Sequence, residues 1–437
     1  MSEFKLTTVE EFEAATARLL ETGAKVGADA WQIRAKNQTP HCKFGEQGIC
    51  CRICAMGPCR ITPKAPRGIC GCDAHGIVGR NFLKFTAGGA ATHSDHGREI
   101  CHTLYCAKEG GNYQVKDPEK LLRIAKEWGV ETEGKDIYDL AHEMAEIGLM
   151  EYGKPFGYQR FLDRMPAGQK EKLIENEIAP RAIDREVASS LHMSHMGCSS
   201  LPEALVKQSI RCGLADGWGG SMMGTEFSDV LFGTPKPLDT EANLGVMVEE
   251  NVNIVVHGHD PSLSEMICEY ADSKEMIDYA KSMGAKGITV SGVCCTSNEV
   301  AMRRGIPMAG NFLQQENVVL TGACEAIVVD VQCIFPALGP LSKCFHTKFI
   351  TTSPICQMPD SDFIEFDAGT AGEKAKQIVK LACENFKNRK PELVHIPDLK
   401  HKATVGYSVE AIVKTLDGVT NSQVDETGTT KPLLECI

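Results

Sequence analysis

The pattern of apolar and polar positions divides the chain into a helical first half and an alternating second half. From about residue 74 to 235, apolar residues recur mostly at the 3.6-residue spacing of amphipathic helices. After about residue 240, short β-branched runs alternate with helical segments such as 261–283, which indicates a parallel α/β sheet with right-handed crossovers. Helical spacing is clearest at 8–22, 117–128, 136–150 and 199–215, and the predicted strands are 252–256, 288–293, 317–320, 326–331 and 348–352.

The same pattern predicts an α + α/β protein with two domain boundaries. One boundary lies near residue 236, in the stretch FGTPKP, and the other near 390–400. We therefore expect a helical domain at 1–236 with a cysteine-rich loop at 42–72, a Rossmann-like parallel α/β domain at 237–398, and the start of a further α/β domain at 399–437. The sequence contains neither a Walker loop nor a GxGxxG motif, so a nucleotide cofactor is not indicated.

Charge and hydropathy narrow the possible partners. The 437 residues carry a formal net charge of −12, which argues against nucleic acid or an anionic membrane as a partner. No signal peptide precedes the helix at 8–22, and no apolar run approaches the roughly 18–20 residues that span a bilayer. We therefore expect a cytoplasmic protein.

The number and distribution of the cysteines indicate the kind of functional site. Seven of the 20 cysteines lie between Cys42 and Cys72. A long chain without an export signal disfavours disulfides, so metal or redox chemistry is the better explanation. The block is written Cys42-x7-Cys50-Cys51-x2-Cys54-x4-Cys59-x10-Cys70, with glycines in between.

This cysteine block favours iron–sulfur clusters. A 4Fe–4S cube needs four converging thiolates, which short spacings such as CxxC supply from loops. A structural zinc site is the alternative, but six cysteines exceed one such site. Four of them complete one cluster, and Cys42 and Cys50 remain as half of a second, which two copies of the chain would complete across a twofold axis. The sequence therefore predicts a homodimer with a shared cluster.

A second set of ligand-type residues follows the predicted strands. His257-Gly258-His259, Cys294-Cys295 and Cys333 come directly after 252–256, 288–293 and 326–331. Since ligands gather at the carboxyl ends of parallel strands, these side chains can converge on iron, nickel or zinc. Considered one at a time, each cysteine is also explained as an ordinary buried side chain, and the His-Gly-His stretch is also explained by local hydrogen bonding.

The helix predicted at 92–105 carries titratable groups at intervals of three. His93, His96, Glu99 and His102 climb this helix in a slow spiral,. Such a row could pass protons near neutral pH. The alternative is a solvated polar helix face.

The residues resemble the nickel-dependent, anaerobic carbon monoxide dehydrogenases. The run CKFGEQGICCRICAMGPCRI, followed by RGICG, matches the family's N-terminal signature, and the likeness continues through RCGLADGWGGSMMGT, NLGVMVEENVNIVVHGHDP and VDVQCI. The resemblance implies that Cys42 and Cys50 hold an intersubunit cluster. It implies a 4Fe–4S cluster within the subunit on Cys51, Cys54, Cys59 and Cys70, and a nickel–iron–sulfur cluster on His259, Cys295 and Cys333. Cys294 and His257 stay open as alternatives.

The resemblance also implies an activity. The reaction is CO + H2O to CO2 with two protons and two electrons, at nickel and a neighbouring iron, with a ferredoxin-like acceptor and acetyl-CoA synthase as a further candidate partner. His93 is implied beside the substrate, with His96 and His102 in a proton exit where Glu99 replaces an expected histidine. Asp216 matches an acid close to the cluster, and the alternative for this residue is a surface carboxylate at the C-terminus of a helix.

The resemblance leaves the chain short of a third domain that supplies the family's remaining cluster ligands. We therefore expect a truncated chain, the alternative being that the third domain is a separate polypeptide. In either case the chain is incomplete for activity by itself, and Cys436 does not replace those ligands. One rival interpretation is a hybrid-cluster (prismane) hydroxylamine reductase, although its N-terminal cysteine spacing differs. The other is an iron–sulfur electron-transfer subunit without an active site of its own.

Overall fold

The computed structural model describes residues 9–420 and groups them into two units. One unit is formed by residues 32–228, and the other by 9–31 together with 229–420. No helix within 9–420 is long and apolar enough to cross a membrane. The helices are α1 (Val9–Lys25), α2 (Trp31–Asn37), α3 (Lys43–Glu46), α4 (Ala74–Tyr105), α5 (Pro118–Glu127), α6 (Ile137–Gly153), α7 (Ala167–Glu175), α8 (Ile183–Ser194), α9 (Pro202–Ala215), α10 (Met222–Phe232), α11 (Pro261–Ala271), α12 (Lys274–Ser282), α13 (Cys294–Arg304), α14 (Gln315–Leu320), α15 (Leu338–Cys344), α16 (Ala371–Asn385) and α17 (Val409–Thr420). The strands are β1 (Cys50–Cys51), β2 (Cys59–Arg60), β3 (Leu238–Ala242), β4 (Val252–Gly258), β5 (Ile288–Val293), β6 (Met308–Gly310), β7 (Ala326–Val329), β8 (Lys348–Thr351), β9 (Asp362–Phe363) and β10 (His401–Val405).

The helical unit is organised around α4, which packs against α6, α8 and α9. The helix begins where the Asp73 side chain accepts a hydrogen bond of 2.9 Å from the Gly76 N–H, a common N-terminal cap,. Its apolar side chains, such as Ile77, Leu83 and Ile100, are fully buried at helical spacing,. The predicted helix at 92–105 is therefore confirmed as the last part of a longer helix.

A π-helical turn, Asp216–Ser221, joins α9 to α10 and contacts α4. The two backbones approach closely at glycines. A Cβ on Gly97 would lie 2.4 Å from the Gly220 carbonyl oxygen, and one on Gly220 would lie 2.6 Å from the Ser94 Cα. Single π turns inside helices occur frequently at functional sites, and this one brings Asp216 against α4.

The second unit contains an eight-stranded sheet, counted within the described residues, in the order β10-β3-β6-β5-β4-β7-β8-β9. β10 pairs antiparallel with β3, and the other neighbouring strands are parallel. Every residue of β4 is buried, as is typical of the central strands of parallel sheets covered by helices,. The carboxyl ends of β4, β5 and β7 consequently meet at one edge of the sheet.

Most of the predicted strands are confirmed, and one prediction is wrong. Residues 317–320 lie in α14, which is buried at every position. A short apolar run cannot be assigned to a strand or a buried helix from its periodicity. β3 was not predicted, because LDTEA lacks an apolar alternation. The confirmed strands correspond to the predictions at 252–256, 288–293, 326–331 and 348–352.

The domain bounds differ from the prediction in two places. Residues 9–31 group with the α/β unit rather than with the helical domain predicted for 1–236. The reason is that α1 packs on α14, where a Cβ on Gly23 would lie only 2.7 Å from the Leu320 Cδ2. In the segment 399–437, predicted to open a new domain, β10 is instead the edge strand of the same sheet. Residues 421–437, including Cys436, lie outside the described residues.

Candidate metal centres

Four cysteines of the N-terminal block line one cavity in the helical unit. Cys51 and Cys59 lie directly opposite each other in the β1–β2 pair, where opposing Cβ atoms are about 5 Å apart. Cys54 lies between the two strands, and Cys70 lies in the segment before α4. All four thiols border this cavity. The fold therefore brings together the four predicted ligands of the intrasubunit cluster.

Backbone N–H groups are directed at two of these sulfur atoms. The Ile69 N–H donates to the Cys59 Sγ at 3.4 Å. The Cys72 N–H donates to the Cys70 sulfur, and this bond lowers the pKa of Cys70, with help from the Arg80 guanidinium and against the effect of desolvation. Since the thiolate is the metal-binding form, these contacts favour the ligand state of the sulfur.

The residues around the cavity fit an iron–sulfur cluster. Four thiols border one cavity, and N–H donors are directed at two of the sulfur atoms, as an iron–sulfur cube requires,. The donor set therefore favours a cluster over the zinc alternative.

Two further side chains line this cavity, although their spacing in the sequence gave no reason to single them out. The Cys72 thiol is buried, and desolvation raises its pKa, so it stays protonated beside the four predicted ligands. Arg80, only 3% exposed, directs its Nε to the Ser199 carbonyl at 2.7 Å and places a buried cation at the cavity wall. Cys72 and Arg80 reach the cavity because of the position at which α4 begins. The spacing of the predicted ligands carries no information about that position.

The two remaining cysteines of the block are separate from this cavity. Successive side chains of a strand point to opposite faces, so Cys50 is directed away from the face that carries Cys51. Cys42 is exposed and directly precedes α3. The Asn81 side chain holds the intervening loop by donating to the Gly48 and Cys50 carbonyls at 3.0 and 3.1 Å. The sharing of a cluster between subunits stays a prediction.

An exposed apolar stripe on α4 borders the same loop. Val78, Phe82 and Phe85 occur at helical spacing and are 42%, 56% and 86% exposed. With residues 45–48 they line a wide surface groove. A contiguous apolar patch of this kind is typical of an interaction surface.

The titratable residues of the row on α4 differ in exposure. His93 is half-buried and His96 is buried, whereas Glu99 and His102 are exposed. The C-terminal end of the row therefore reaches the surface. Its use as a relay stays a prediction.

His93 is held by the π turn. Its Nδ1 lies 2.8 Å from the Asp216 Oδ2 and 3.1 Å from the Ser221 Oγ, and the other carboxylate oxygen accepts a bond of 3.1 Å from the Ser94 hydroxyl. The hydrogen bond to Asp216 raises the pKa of His93 above its ordinary value of 6.5, although burial acts in the opposite direction. The carboxylate therefore stabilises the protonated imidazole.

Replacing Asp216 with asparagine is expected to lower the pKa of His93, because the carboxylate is lost while the burial remains. The raised pKa means that the pair stabilises the fold fully below about pH 6.5, and that this stabilisation is lost as the pH rises through the raised value. The variant should therefore lose most stability in acid. NMR titration of histidine-labelled protein measures the pKa, with Ser221→Ala, which removes only a hydroxyl, as the control. An unchanged pKa in Asp216→Asn would contradict the assignment.

The second set of predicted ligands lies at the edge of the sheet where β4, β5 and β7 end. An isolated parallel bridge between Gly258 and Cys294 continues the β4–β5 pairing into this region. Cys333 follows β7 after a short segment. Cys294 and Cys333 both have positive φ angles, of 65° and 59°, and non-glycine residues adopt this region rarely and at some cost. The fold therefore holds these two cysteines in specific orientations.

The surroundings of the two histidines favour His259 over His257 as a ligand. The His259 Nδ1–H donates to the Val331 carbonyl at 3.2 Å, which fixes the tautomer with the lone pair on Nε2,. His257 is completely buried, and its Nε2–H donates to the Gln315 Oε1 at 3.1 Å. Burial lowers the pKa of His257 to about 4. Its ring is thus part of the core.

The thiols at this edge differ in a similar way. Cys295 and Cys333 are exposed, whereas Cys294 is half-buried. Burial, followed by the neighbouring Cys333 and Cys295, raises the pKa of Cys294 to about 12, and its thiol donates to the Cys333 sulfur. Burial also raises the pKa of Cys295 and Cys333. A bound cation would reverse these shifts, and one imidazole with soft sulfur donors suits iron or nickel.

The chain is similar to known proteins over most of its length. Residues 49–424 match the Prismane/CO dehydrogenase family. The chain is 46% identical over 420 residues to carbon monoxide dehydrogenase 1 of Methanosarcina mazei. The aligned region covers 95% of this chain and 67% of the relative. It is 42% identical over 389 residues to the carbon monoxide dehydrogenase/acetyl-CoA synthase subunit beta of Moorella thermoacetica, with 87% of this chain and 57% of the relative covered.

A solved structure is similar over the same extent. The as-isolated, nickel-free crystal structure of carbon monoxide dehydrogenase from Thermococcus sp. AM4 superposes with a TM-score of 0.90 at 48% identity and covers 96% of this chain and 66% of that protein. The chain thus spans about two thirds of the length of such relatives.

Proposed function

Because the chain belongs to the Prismane/CO dehydrogenase family, we propose that it serves the reversible oxidation of CO with water to CO2, two protons and two electrons. The observation that carries the proposal is the sheet edge, where the His259 ring is oriented by the Val331 carbonyl and the Cys295 thiol is exposed. The names of the relatives, all carbon monoxide dehydrogenases, support the same reaction.

The proposed ligand sets follow the two centres described above. His259, Cys295 and Cys333 would hold a nickel–iron–sulfur cluster, which when bound supplies the site for CO and water and takes up the two electrons. The four-thiol cavity would hold a 4Fe–4S cluster that receives those electrons. The Cys70 thiol, whose pKa is already lowered, is prepared for that role.

The proton chemistry would be carried by the helical unit. Since its Nδ1 is bonded to Asp216, His93 would take up a proton at Nε2, and the resulting cation would be stabilised by the carboxylate,. His96 and His102 would lead the proton toward the surface. Glu99, exposed between them, can take part because a carboxylate can also exchange protons.

A homodimer is part of this proposal. Cys42 and Cys50 would share a second 4Fe–4S cluster with the same residues of another copy, and the exposed stripe of Val78, Phe82 and Phe85 provides an adjacent apolar surface for the contact,. We also propose a ferredoxin-like acceptor and a cytoplasmic location. The name of the Moorella relative supports acetyl-CoA synthase as a further partner.

The proposal is tested by CO-dependent reduction of a viologen dye by the protein purified anaerobically from its own cells, together with any polypeptide that supplies the further cluster ligands expected from the resemblance, and loaded with iron and sulfide. We expect reduction when nickel is included and none when it is omitted. Hydroxylamine-dependent oxidation of reduced dye, without CO activity, would favour a hybrid-cluster enzyme. Iron content without either activity would favour an electron-transfer subunit.

A further inference from the structure

We propose that Asp330 is the positioning residue that fixes the three ligand-bearing segments of the α/β unit to one another, so that the site is shaped before any metal arrives. The proposal rests on the proposed roles of His259, Cys295 and Cys333. Asp330 follows β7 and belongs to none of the predicted ligand sets.

One carboxylate contacts all three segments. The Asp330 Oδ1 accepts hydrogen bonds from the His259 N–H, at 2.6 Å, and from the Val331 N–H. The Oδ2 accepts a bond of 2.9 Å from the Thr296 hydroxyl. These donors are the predicted histidine ligand itself, the residue after Cys295, and a residue two positions before Cys333.

The backbone is built to admit this carboxylate. A Cβ on Gly258 would lie 2.0 Å from the Asp330 Oδ1, so the carboxylate occupies space that any other residue at 258 would fill. Gly258 also has a φ of 134°, which side chains disfavour,. The glycine between the two histidines is thus explained by the contact with Asp330.

The same contacts offset strain in the segment that carries Cys333. Gln332 and Cys333 have φ angles of 67° and 59°, a conformation that persists only where surrounding contacts enforce it. The bond from the Val331 N–H anchors this segment at its start.

A role in geometry can be separated from a role of the negative charge. In Asp330→Asn, the side-chain oxygen still accepts from the two N–H groups, and the new NH2 group donates to the Thr296 hydroxyl. That hydroxyl can turn its proton to the Asp260 carbonyl, 3.0 Å away. Asparagine therefore keeps every contact without the charge, whereas Asp330→Ala removes all of them.

The first arm of the experiment needs no metal. Hydrogen exchange of the metal-free protein, followed by mass spectrometry, reports the protection of the His259 and Val331 amides. We expect faster exchange at both amides in Asp330→Ala and protection close to wild type in Asp330→Asn. Unchanged protection in Asp330→Ala, or equal loss in both variants, would overturn the proposal.

The second arm measures nickel content and the electron paramagnetic resonance signature of the nickel–iron centre in the anaerobically assembled holoenzyme. Partners behind metal ligands typically affect metal affinity by about 10–100-fold, and we expect a loss of that size in Asp330→Ala, with retention in Asp330→Asn. The signal of the four-thiol cluster serves as the internal control. Nickel retention with an unchanged signature in Asp330→Ala would count against the proposal.

Two further experimental outcomes also decide the role of Asp330. If Asp330→Ala fails to fold and loses the control signal, the test uses Thr296→Val instead, which removes the hydroxyl and its contacts with Asp330 and the Asp260 carbonyl but keeps the Asp330 carboxylate. We expect this variant to bind nickel several-fold more weakly, and full retention would refute the positioning role. If the wild-type protein itself takes up no nickel, the proposed function fails, and the amide protection still decides the role of Asp330.

Discussion

Replacing Cys59 with serine is expected to remove the cluster of the four-thiol cavity from the anaerobically purified protein. Cys59 lies opposite Cys51, receives the N–H of Ile69 and borders the cavity from β2. A serine hydroxyl in its place is a hard, neutral ligand that does not hold iron as a thiolate does. We expect the iron content to fall by one cluster and CO-dependent dye reduction to fall to background.

Iron analysis and electron paramagnetic resonance measure this loss. Cys106→Ser is the matched control, because this cysteine is exposed, follows α4 in the same unit and is not among the residues that line the cavity. The control should keep both the iron and the signal. A Cys59→Ser protein with undiminished iron, or a wild-type protein with zinc in the cavity, would rule out the assignment.

Replacing Cys295 with alanine is expected to abolish nickel binding and CO oxidation while the four-thiol cluster remains. Cys295 is exposed at the sheet edge, in the first turn of α13, and its neighbour Thr296 is tied to Asp330. Since the loss of a partner behind a ligand already costs about 10–100-fold in affinity, the loss of a ligand itself should cost at least about 100-fold. Nickel analysis and the viologen assay, run on the same sample, measure the two effects.

Cys294→Ala is the matched control for this experiment. Cys294 is the adjacent cysteine, but its thiol is half-buried and donates to the Cys333 sulfur, so its loss removes a hydrogen bond and not a ligand. We expect partial nickel retention and reduced activity. If Cys294→Ala loses the metal and Cys295→Ala keeps it, the roles of the two cysteines are reversed.

The fold could be predicted from the sequence where apolar patterns were long or strongly β-branched. The run VNIVV gave the fully buried β4, and helical spacing gave α5, α6 and α9. β3 escaped prediction because its residues are mostly polar and it depends on its neighbours in the sheet. The short run at 317–320 predicts a strand wrongly, because its three apolar residues, at 318–320, are too few to show a helical or a strand period.

The candidate sites were predictable to the extent that ligands are close in sequence. The spacing from Cys51 to Cys70 indicated a cluster, and these thiols do line one cavity. The contact between His93 and Asp216 joins residues 123 positions apart, and no local pattern contains it. Likewise, Arg80 and Asp330 act through tertiary contacts, and their types and spacing are unremarkable in the sequence.

The antiparallel pairing of β10 with β3 has a consequence for the order in which the chain matures on the ribosome. All five residues of β3 pair with β10, whereas only Ala242 pairs with β6 on the other side. The contact of Thr404 with Asp239 spans 165 positions, so β3 emerges long before its main partner is synthesised. During that interval its unpaired edge is a template for wrong pairing between nascent chains. Protection by a chaperone is therefore most useful until residues 401–405 have left the ribosome and can pair with β3.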